Sequence, residues 1–423
     1  MDAPNHLRIN QNHTTESVWD FAATWLFHAI FLGQVLMYFV GRGDSAGIGD
    51  WISTVSAAAL CAVGAIHTQM KWNQLPQGLR NWIAIAGIVS GAAIVRGFTE
   101  NDVLKTLFES LPYAAIVFFP AIGFPTIPKS LVHAFSLHAL FGVLACGYVL
   151  VSNQSVVTAD DIQRSDTLEL KSVQFSLYSL FFVFFRLASI SFLMRLVVIF
   201  GLVEMATFAV ASATRQALVL LTGVVSIGIW NVVRASSEWG AHGQVATPGA
   251  KKGLVLLLLV CVLGYGAYEI VTRLAGGMAM MEARLTTART GTSIWENDRL
   301  FEVQQLIEQF EFVDLLIGRG VRGAFVNSAA PNNDNVHIGW FRVLLKAGVF
   351  MVALLVIGPV WNGVYGILHA RDPVVLAAAG MCCYFAVKNT TGNIVLPFPN
   401  LYIVLVCFGA CAGWNWGWRY DPR

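Results

Sequence analysis

Apolar residues run along this chain in blocks, each closed by a short polar connection. The blocks fall at roughly 22–40, 51–68, 81–97, 107–125, 132–151, 173–191, 194–212, 215–233, 253–271, 336–358, 373–388 and 393–414. About 20 apolar residues in a helix cross the hydrocarbon core of a bilayer. The pattern therefore predicts an all-α polytopic membrane protein of about 12 transmembrane helices. The polar stretch from Met1 to Glu16 is too long and too polar for a signal peptide, so the first span is expected to be retained. The expected organisation is a cytoplasmic tail over 1–21, spans one to nine over 22–271, a long outer loop over 272–335, spans ten to twelve over 336–414, and a cytoplasmic tail over 415–423.

Composition agrees. Of 423 residues, 56% are hydrophobic and 12% charged, against about 25% charged in a soluble domain. Such a chain cannot clothe a water-facing surface. The net charge of +2 argues against nucleic acid as a partner. Placement of charge is more telling. With the N-terminus inside, the inner connections carry Arg8, Lys71, Arg80, Lys129, Arg195, Arg234, Lys251, Lys252, Arg371, Arg419 and Arg423. The opposite connections hold Asp44, Asp50, Glu100, Asp102, Asp160, Asp161 and Asp166. The bias of bases to one side predicts that both termini lie in the cytoplasm.

Other chemistry is sparse. All seven cysteines fall in apolar spans and read as small core residues. Adjacent Cys382 and Cys383 point to different helix faces, which disfavours a disulfide. No Cys/His spacing suits zinc, and neither a Walker loop nor a Rossmann glycine pattern occurs, so any reaction must draw on energy stored in a substrate or a gradient. Arg186 and Glu204 are the chief charges expected inside spans, as a structural pair or as the lining of a lipid path.

One segment breaks the pattern. From Thr272 to Asn335 the chain carries Arg273, Arg284, Arg289, Arg299, Arg319 and Arg322 among many acids. The topology places it outside the cytoplasm, between spans nine and ten. Leu300, Val303, Leu306, Ile307 and Phe310 recur at helical spacing, predicting an amphipathic helix over Asn297 to Phe312. Three glycines follow, Gly318, Gly320 and Gly323, which predict a turn with close backbone approach. An Asn- and Pro-rich loop then delivers the chain to His337 at the mouth of span ten. Arg215, between spans seven and eight, is expected at the same membrane level. Arginine suits phosphate oxygens, with a planar fork and permanent charge, so this set would suit a diphosphate at headgroup level. Each residue also has a plainer reading: a snorkelling or paired arginine, a capping histidine, a solvated turn. Spacing alone leaves both readings open.

Three stretches resemble the superfamily of O-antigen ligases and Wzy-type O-antigen and exopolysaccharide polymerases. Ala213-Thr214-Arg215-Gln216-Ala217-Leu218 is similar to the small-residue, Ser-Arg-Gly-Ala stretch that opens a span there. Arg299 through Phe325, closing on Leu315-Leu316-Ile317-Gly318-Arg319-Gly320, resembles the segment of an arginine, a helix and a closing Leu-Leu-Gly-x-Gly. Val336-His337-Ile338-Gly339-Trp340-Phe341, then Leu344-Leu345-Lys346-Ala347-Gly348, is similar to Val-His-Asn-Gly-Tyr-Leu and Leu-Lys-x-Gly. The matches span about a third of the chain and keep the family's order. Two departures stand out: Ile338 replaces the asparagine after the histidine, and Phe350 and Met351 occupy the place of a later glycine.

The resemblance implies a GT-C-like membrane glycosyltransferase that needs no cofactor or metal. Its donor would be an undecaprenyl-diphosphate-linked oligosaccharide and its acceptor a lipid-linked glycan or lipid A-core, with membrane lipids and a chain-length regulator as further partners. By the same resemblance His337 is the general base or acceptor orienter, Arg215 and Arg299 hold the diphosphate, and Arg319 and Arg322 are secondary candidates. Asn335 and Asp334 would support the acceptor or the loop. A neutral imidazole accepts a hydroxyl proton near physiological pH. The motif form favours a polymerase over a ligase. A twelve-helix transporter or flippase is the alternative of another class, and would require two matching halves with interrupted helices, which this asymmetric chain lacks.

Overall fold

The structure, a computed structural model, describes residues 17–40, 48–98, 103–152, 174–187, 189–211, 222–231, 298–326, 336, 338–391 and 400–418. The described residues form a helical bundle. Its elements are α1 (Val18–Val40), α2 (Ile48–Lys71), α3 (Gln77–Gly97), α4 (Val103–Gly123), α5 (Lys129–Ser152), α6 (Gln174–Phe185) and α7 (Phe192–Ala211). There follow α8 (222–231), α9 (Asp298–Glu308), α10 (Phe312–Ile317) and α11 (Gly339–Leu355). The last are a π-helical turn (Val356–Val360), α12 (Trp361–His369), α13 (Pro373–Thr391) and α14 (Asn400–Trp418).

Five helical stretches among these are long and apolar enough to cross a membrane: Trp51–Lys71, Gln77–Gly97, Lys105–Gly123, Gly339–His369 and Pro373–Thr390. Lys129–Leu144 and Leu401–Trp416 are shorter apolar helices. The chain is thus a helical membrane protein, and most expected spans coincide with helices to within a few residues. The expected ninth span, 253–271, lies outside the described residues.

Three boundaries differ, two of them for identifiable local reasons. The first helix begins at Val18 rather than 22, because Ser17 and Asp20 form a capping box: Ser17 N donates to Asp20 Oδ2 at 2.9 Å and Asp20 N to Ser17 Oγ at 3.1 Å. The sixth helix stops at Phe185, well before 191. The tenth span continues past 358 to His369 through the π turn around Pro359. Buried Asn362 satisfies that turn, donating to Gly358 O at 2.8 Å while accepting from Asn415 Nδ2 at 2.8 Å.

The core is apolar and rich in aromatics. Phe27, Phe119, Phe135 and Phe182 link α1, α4, α5 and α6, with ring centroids of 6.5, 5.7 and 5.2 Å along the chain of contacts. The helix ends sort onto two faces. On one, Asp20 of α1 lies 3.5 Å from His67 of α2. There also Lys71 Nζ donates to Phe124 O beyond α4 at 2.7 Å, Thr24 Oγ1 donates to Ser130 Oγ of α5 at 2.9 Å, and Gly78 of α3 packs on Trp416 of α14. The start of α1 and the end of α14 therefore share a face, together with Lys71, Arg80 and Lys129. The opposite face holds the end of α3, the α9–α10 unit and the start of α11.

Arg186 is not buried mid-span. It follows the end of α6 and lies in the electrostatic range of Asp372, at the α12–α13 connection. Glu204 is buried in α7, more than three helical turns from the start of that helix, so the two do not form the expected pair.

Candidate functional site

The glycine segment after α10 is the seam that joins the α9–α10 unit to the bundle. Gly348 has φ 74° and breaks the regular course of α11. A helix interrupted there leaves carbonyls of the preceding turn without their usual donors. The glycine segment supplies donors instead: Arg319 N donates to Leu345 O at 2.7 Å and Gly320 N to Lys346 O at 3.0 Å. Val321 N donates to Ala93 O, in the last turn of α3, at 3.0 Å. Gly318 and Gly320 also have positive φ, 72° and 92°. A Cβ at Gly320 would sit 2.7 Å from Gly97 N, and one at Gly318 would strike the backbone of Lys346 and Ala347. The two stretches Leu316–Val321 and Leu345–Gly348, expected separately from the sequence, are thus halves of one backbone junction.

Asp314 locks this junction. Its Oδ1 accepts from Arg96 Nη2 at 3.0 Å and its Oδ2 from Arg319 Nε at 2.9 Å. Arg96 Nη1 also donates to Gly318 O. Arg319 donates from Nη1 to Ala324 O at 2.9 Å and from Nη2 to Gln309 O, and its guanidinium lies 5.5 Å over the Phe310 ring. Arg319 therefore spends its fork on the protein's own carbonyls and on Asp314, rather than standing as a solvated turn residue. Arg96 and Asp314 were not singled out by spacing. An arginine closing an apolar span and an acid just ahead of a glycine turn were the available signals.

The unit has a small core of its own: Leu306, Phe325, Val336 and Leu345, with Phe310 and Phe341 against it. The amphipathic helix expected over Asn297 to Phe312 ends at Glu308, and α10 begins separately at Phe312; between them Gln309 accepts from Val326 N at 2.9 Å through its side chain. The buried face of α9 is Glu302, Val303 and Leu306, whereas Ile307, expected inside, is half exposed. The helix is rotated about one residue from the purely apolar stripe, because Leu306 must meet Phe325 and Leu345.

Arg322 is partly exposed in the turn after Gly320. Arg299 lies in the first turn of α9. Arg215, Asp334, Asn335 and His337 lie outside the described residues, although the neighbours of His337 are placed: Val336 is buried in the unit's core and Ile338 caps α11. Among the described residues no group of His, Cys, Asp and Glu could hold a metal ion. Comparison with known proteins finds no matching family model, no matching characterised protein and no matching solved structure.

Burial raises the Asp314 carboxyl, but hydrogen bonds from Arg319 and Arg96 outweigh it and hold the group below the usual carboxylate range. Its contribution to stability is therefore present above the unfolded value of about 3.9 and is lost as pH falls through the lowered folded value. Asp314→Ala is expected to cost about 2 kcal/mol, below the roughly 3–5 kcal/mol of a fully buried pair because both arginines keep some water. Faster proteolysis of the 298–326 segment, already at neutral pH, is the expected signature. Proteolysis indistinguishable from wild type would remove Asp314 as the lock.

Proposed function

We propose that this chain is a bacterial inner-membrane glycosyltransferase that polymerises an O-antigen or exopolysaccharide. It takes the glycan from an undecaprenyl-diphosphate donor and passes it to a sugar hydroxyl of a lipid-linked acceptor on the periplasmic side. The observation that carries this reading is the junction between Leu316–Val321 and Leu345–Gly348. Two of the three stretches that resemble the polymerase and ligase superfamily meet there in space. The junction sets the arginine-bearing unit beside the mouth of α11, where Val336 and Ile338 flank His337.

The chemistry follows from the residue types. The acceptor oxygen attacks the anomeric carbon as the bond from that carbon to the diphosphate oxygen breaks. His337 takes the hydroxyl proton, and the lipid diphosphate leaves with the bonding electrons. Arg215 and Arg299, with Arg322 as a further cation, stabilise the charge that develops on it. Arg319 acts by holding the loop. The leaving group stores the energy of the reaction, and the arginines supply the positive charge that a metal would otherwise bring.

The test is reconstitution of the purified chain in vesicles with a lipid-linked repeat unit and EDTA present. A ladder of lengthening lipid-linked glycans is expected. Transfer only onto added lipid A-core would make the protein a ligase. Movement of the donor across the bilayer without any new glycosidic bond would replace the proposal with a flippase.

A further inference from the structure

The α9–α10 unit leaves apolar side chains uncovered, and the bundle fixes the depth at which they lie. In α10, Phe312–Ile317, only Asp314 is polar. Asp314 is held by Arg96 of α3 and by Arg319. Phe312 is 75% exposed, Val313 51% and Leu315 40%. Apolar residues scattered singly on a surface need no explanation. Three large ones within four residues form a patch, and water is a poor solvent for it.

Three helices serve as rulers of depth. An α-helix rises about 1.5 Å per residue, so about 20 residues cross the hydrocarbon core. Gln77–Gly97 has 21 residues and starts on the face of Trp416, so Gly97 reaches the opposite edge of the core. Trp51–Lys71 also has 21 residues. Trp51, half exposed and 5.6 Å from the Phe108 ring, marks that same edge, where aromatic side chains collect in membrane proteins. Gly339–His369 has 31 residues, more than the core requires. His369 stacks on Tyr365, which meets Trp414 near the end of α14, so this helix finishes on the Trp416 face. Counting about 20 residues back from His369 reaches the neighbourhood of Gly348. The rulers agree, because Gly320 packs on Gly97 while Leu316 and Ile317 pack on Gly348. The end of α10 is therefore pinned at the edge of the core. Val95 of α3 and Val349 and Phe350 of α11 are exposed at the same depth.

We infer that Phe312, Val313 and Leu315 form a lipid anchor, inserted at the boundary of headgroups and acyl chains, that holds the α9–α10 unit down on the bilayer. The occupant is the phospholipid of that leaflet, because the patch lies level with the lipid-facing belt of α3 and α11. A short helix lying in the interface buries its apolar side without crossing the membrane. α10 is too short to bind a bilayer by itself, but the backbone junction with α11 already holds it in place. The unit thus has two fixings, one on the bundle and one in the lipid. This inference is independent of the polymerase reading.

The test uses the full chain in vesicles of phosphatidylethanolamine and phosphatidylglycerol. Phe312→Cys, Leu315→Cys and Gln304→Cys each carry a nitroxide label, the last as a control at an exposed polar position of α9. Wild type treated with the same reagent supplies the background from native cysteines. Collisions of the label with oxygen, which concentrates in lipid, are compared with those of a water-soluble nickel chelate. Oxygen should dominate at the first two positions and the chelate at the third. Dominance of the chelate at the first two overturns the anchor. Dipolar broadening there that disappears on dilution with unlabelled protein would place a second copy of the chain on the patch, and overturns it equally. Phe312→Gln should speed proteolysis of the 298–326 segment in vesicles by roughly 3- to 10-fold. Phe312 buries little against the protein itself, so a rate equal to wild type would mean that lipid does not hold it, and the anchor would fall.

Discussion

His337→Ala is expected to reduce glycan transfer by roughly 10²–10⁴-fold, the usual contribution of a positioned general acid–base group. The donor should still bind, because its diphosphate is assigned to arginines and the imidazole meets only the acceptor hydroxyl. The expected signature is therefore a fall in kcat with little change in KM for the lipid-linked donor. In cells lacking the native gene, the variant should leave single repeat units on lipid while protein levels match wild type. Arg299→Ala should behave differently. It removes charge stabilisation of the leaving group and should raise KM as well as lower kcat. If His337→Ala instead kept the wild-type glycan ladder, the histidine would be a cap at the helix start and the assigned chemistry would fail with it.

The helical, membrane character of the chain was legible because membrane helices have one dominant requirement, a run of apolar residues of bilayer length. Where local chemistry competed, the pattern erred. The Ser17–Asp20 box drew the first helix start forward to Val18, and the π turn at Val356–Val360 let the tenth helix run on to His369. The site was only partly legible. Gly318, Gly320 and the arginines were visible as composition, and the glycines did mark close backbone approach. What they approach could not be read, because the partners are the backbone of Leu345 and Lys346 and the last turn of α3 more than two hundred residues earlier. For the same reason the sequence left Arg319 open between a diphosphate ligand and a solvated turn. Its acceptors are carbonyls of Gln309 and Ala324 and the carboxylate of Asp314, and a carbonyl leaves no mark in the sequence. Lys346 was seen as part of a motif, though it is among the most buried charges in the described chain.

Gly348→Ala is expected to cause the largest loss of folding among single substitutions at this junction. Two independent costs add. The residue has φ 74°, which an alanine adopts only with strain. A Cβ there would also collide with the carbonyl of Leu316 and the amide of Ile317, which are backbone atoms and cannot rotate away. Relief requires α10 and the glycine segment to move off α11. That movement would stretch the hydrogen bonds from Arg319 N to Leu345 O and from Gly320 N to Lys346 O, and it would loosen the Arg96–Asp314 contact. A cost of roughly 3 kcal/mol or more is expected, read as a fall in melting temperature of the purified protein or its absence from the membrane. Gly323→Ala is the internal control. Gly323 lies in the same segment without a positive φ, and its nearest neighbour is the side chain of Arg319 rather than the helix backbone. It should cost less, because only its contacts with Arg319 Cβ at 2.5 Å and Gly320 O at 3.0 Å must be relieved, without the strain of a positive φ. Equal tolerance of Gly348→Ala and Gly323→Ala would mean that the glycines only shape a turn. Unequal tolerance, with activity lost wherever the junction opens, would tie the arginine-bearing unit and the mouth of α11 into one working element.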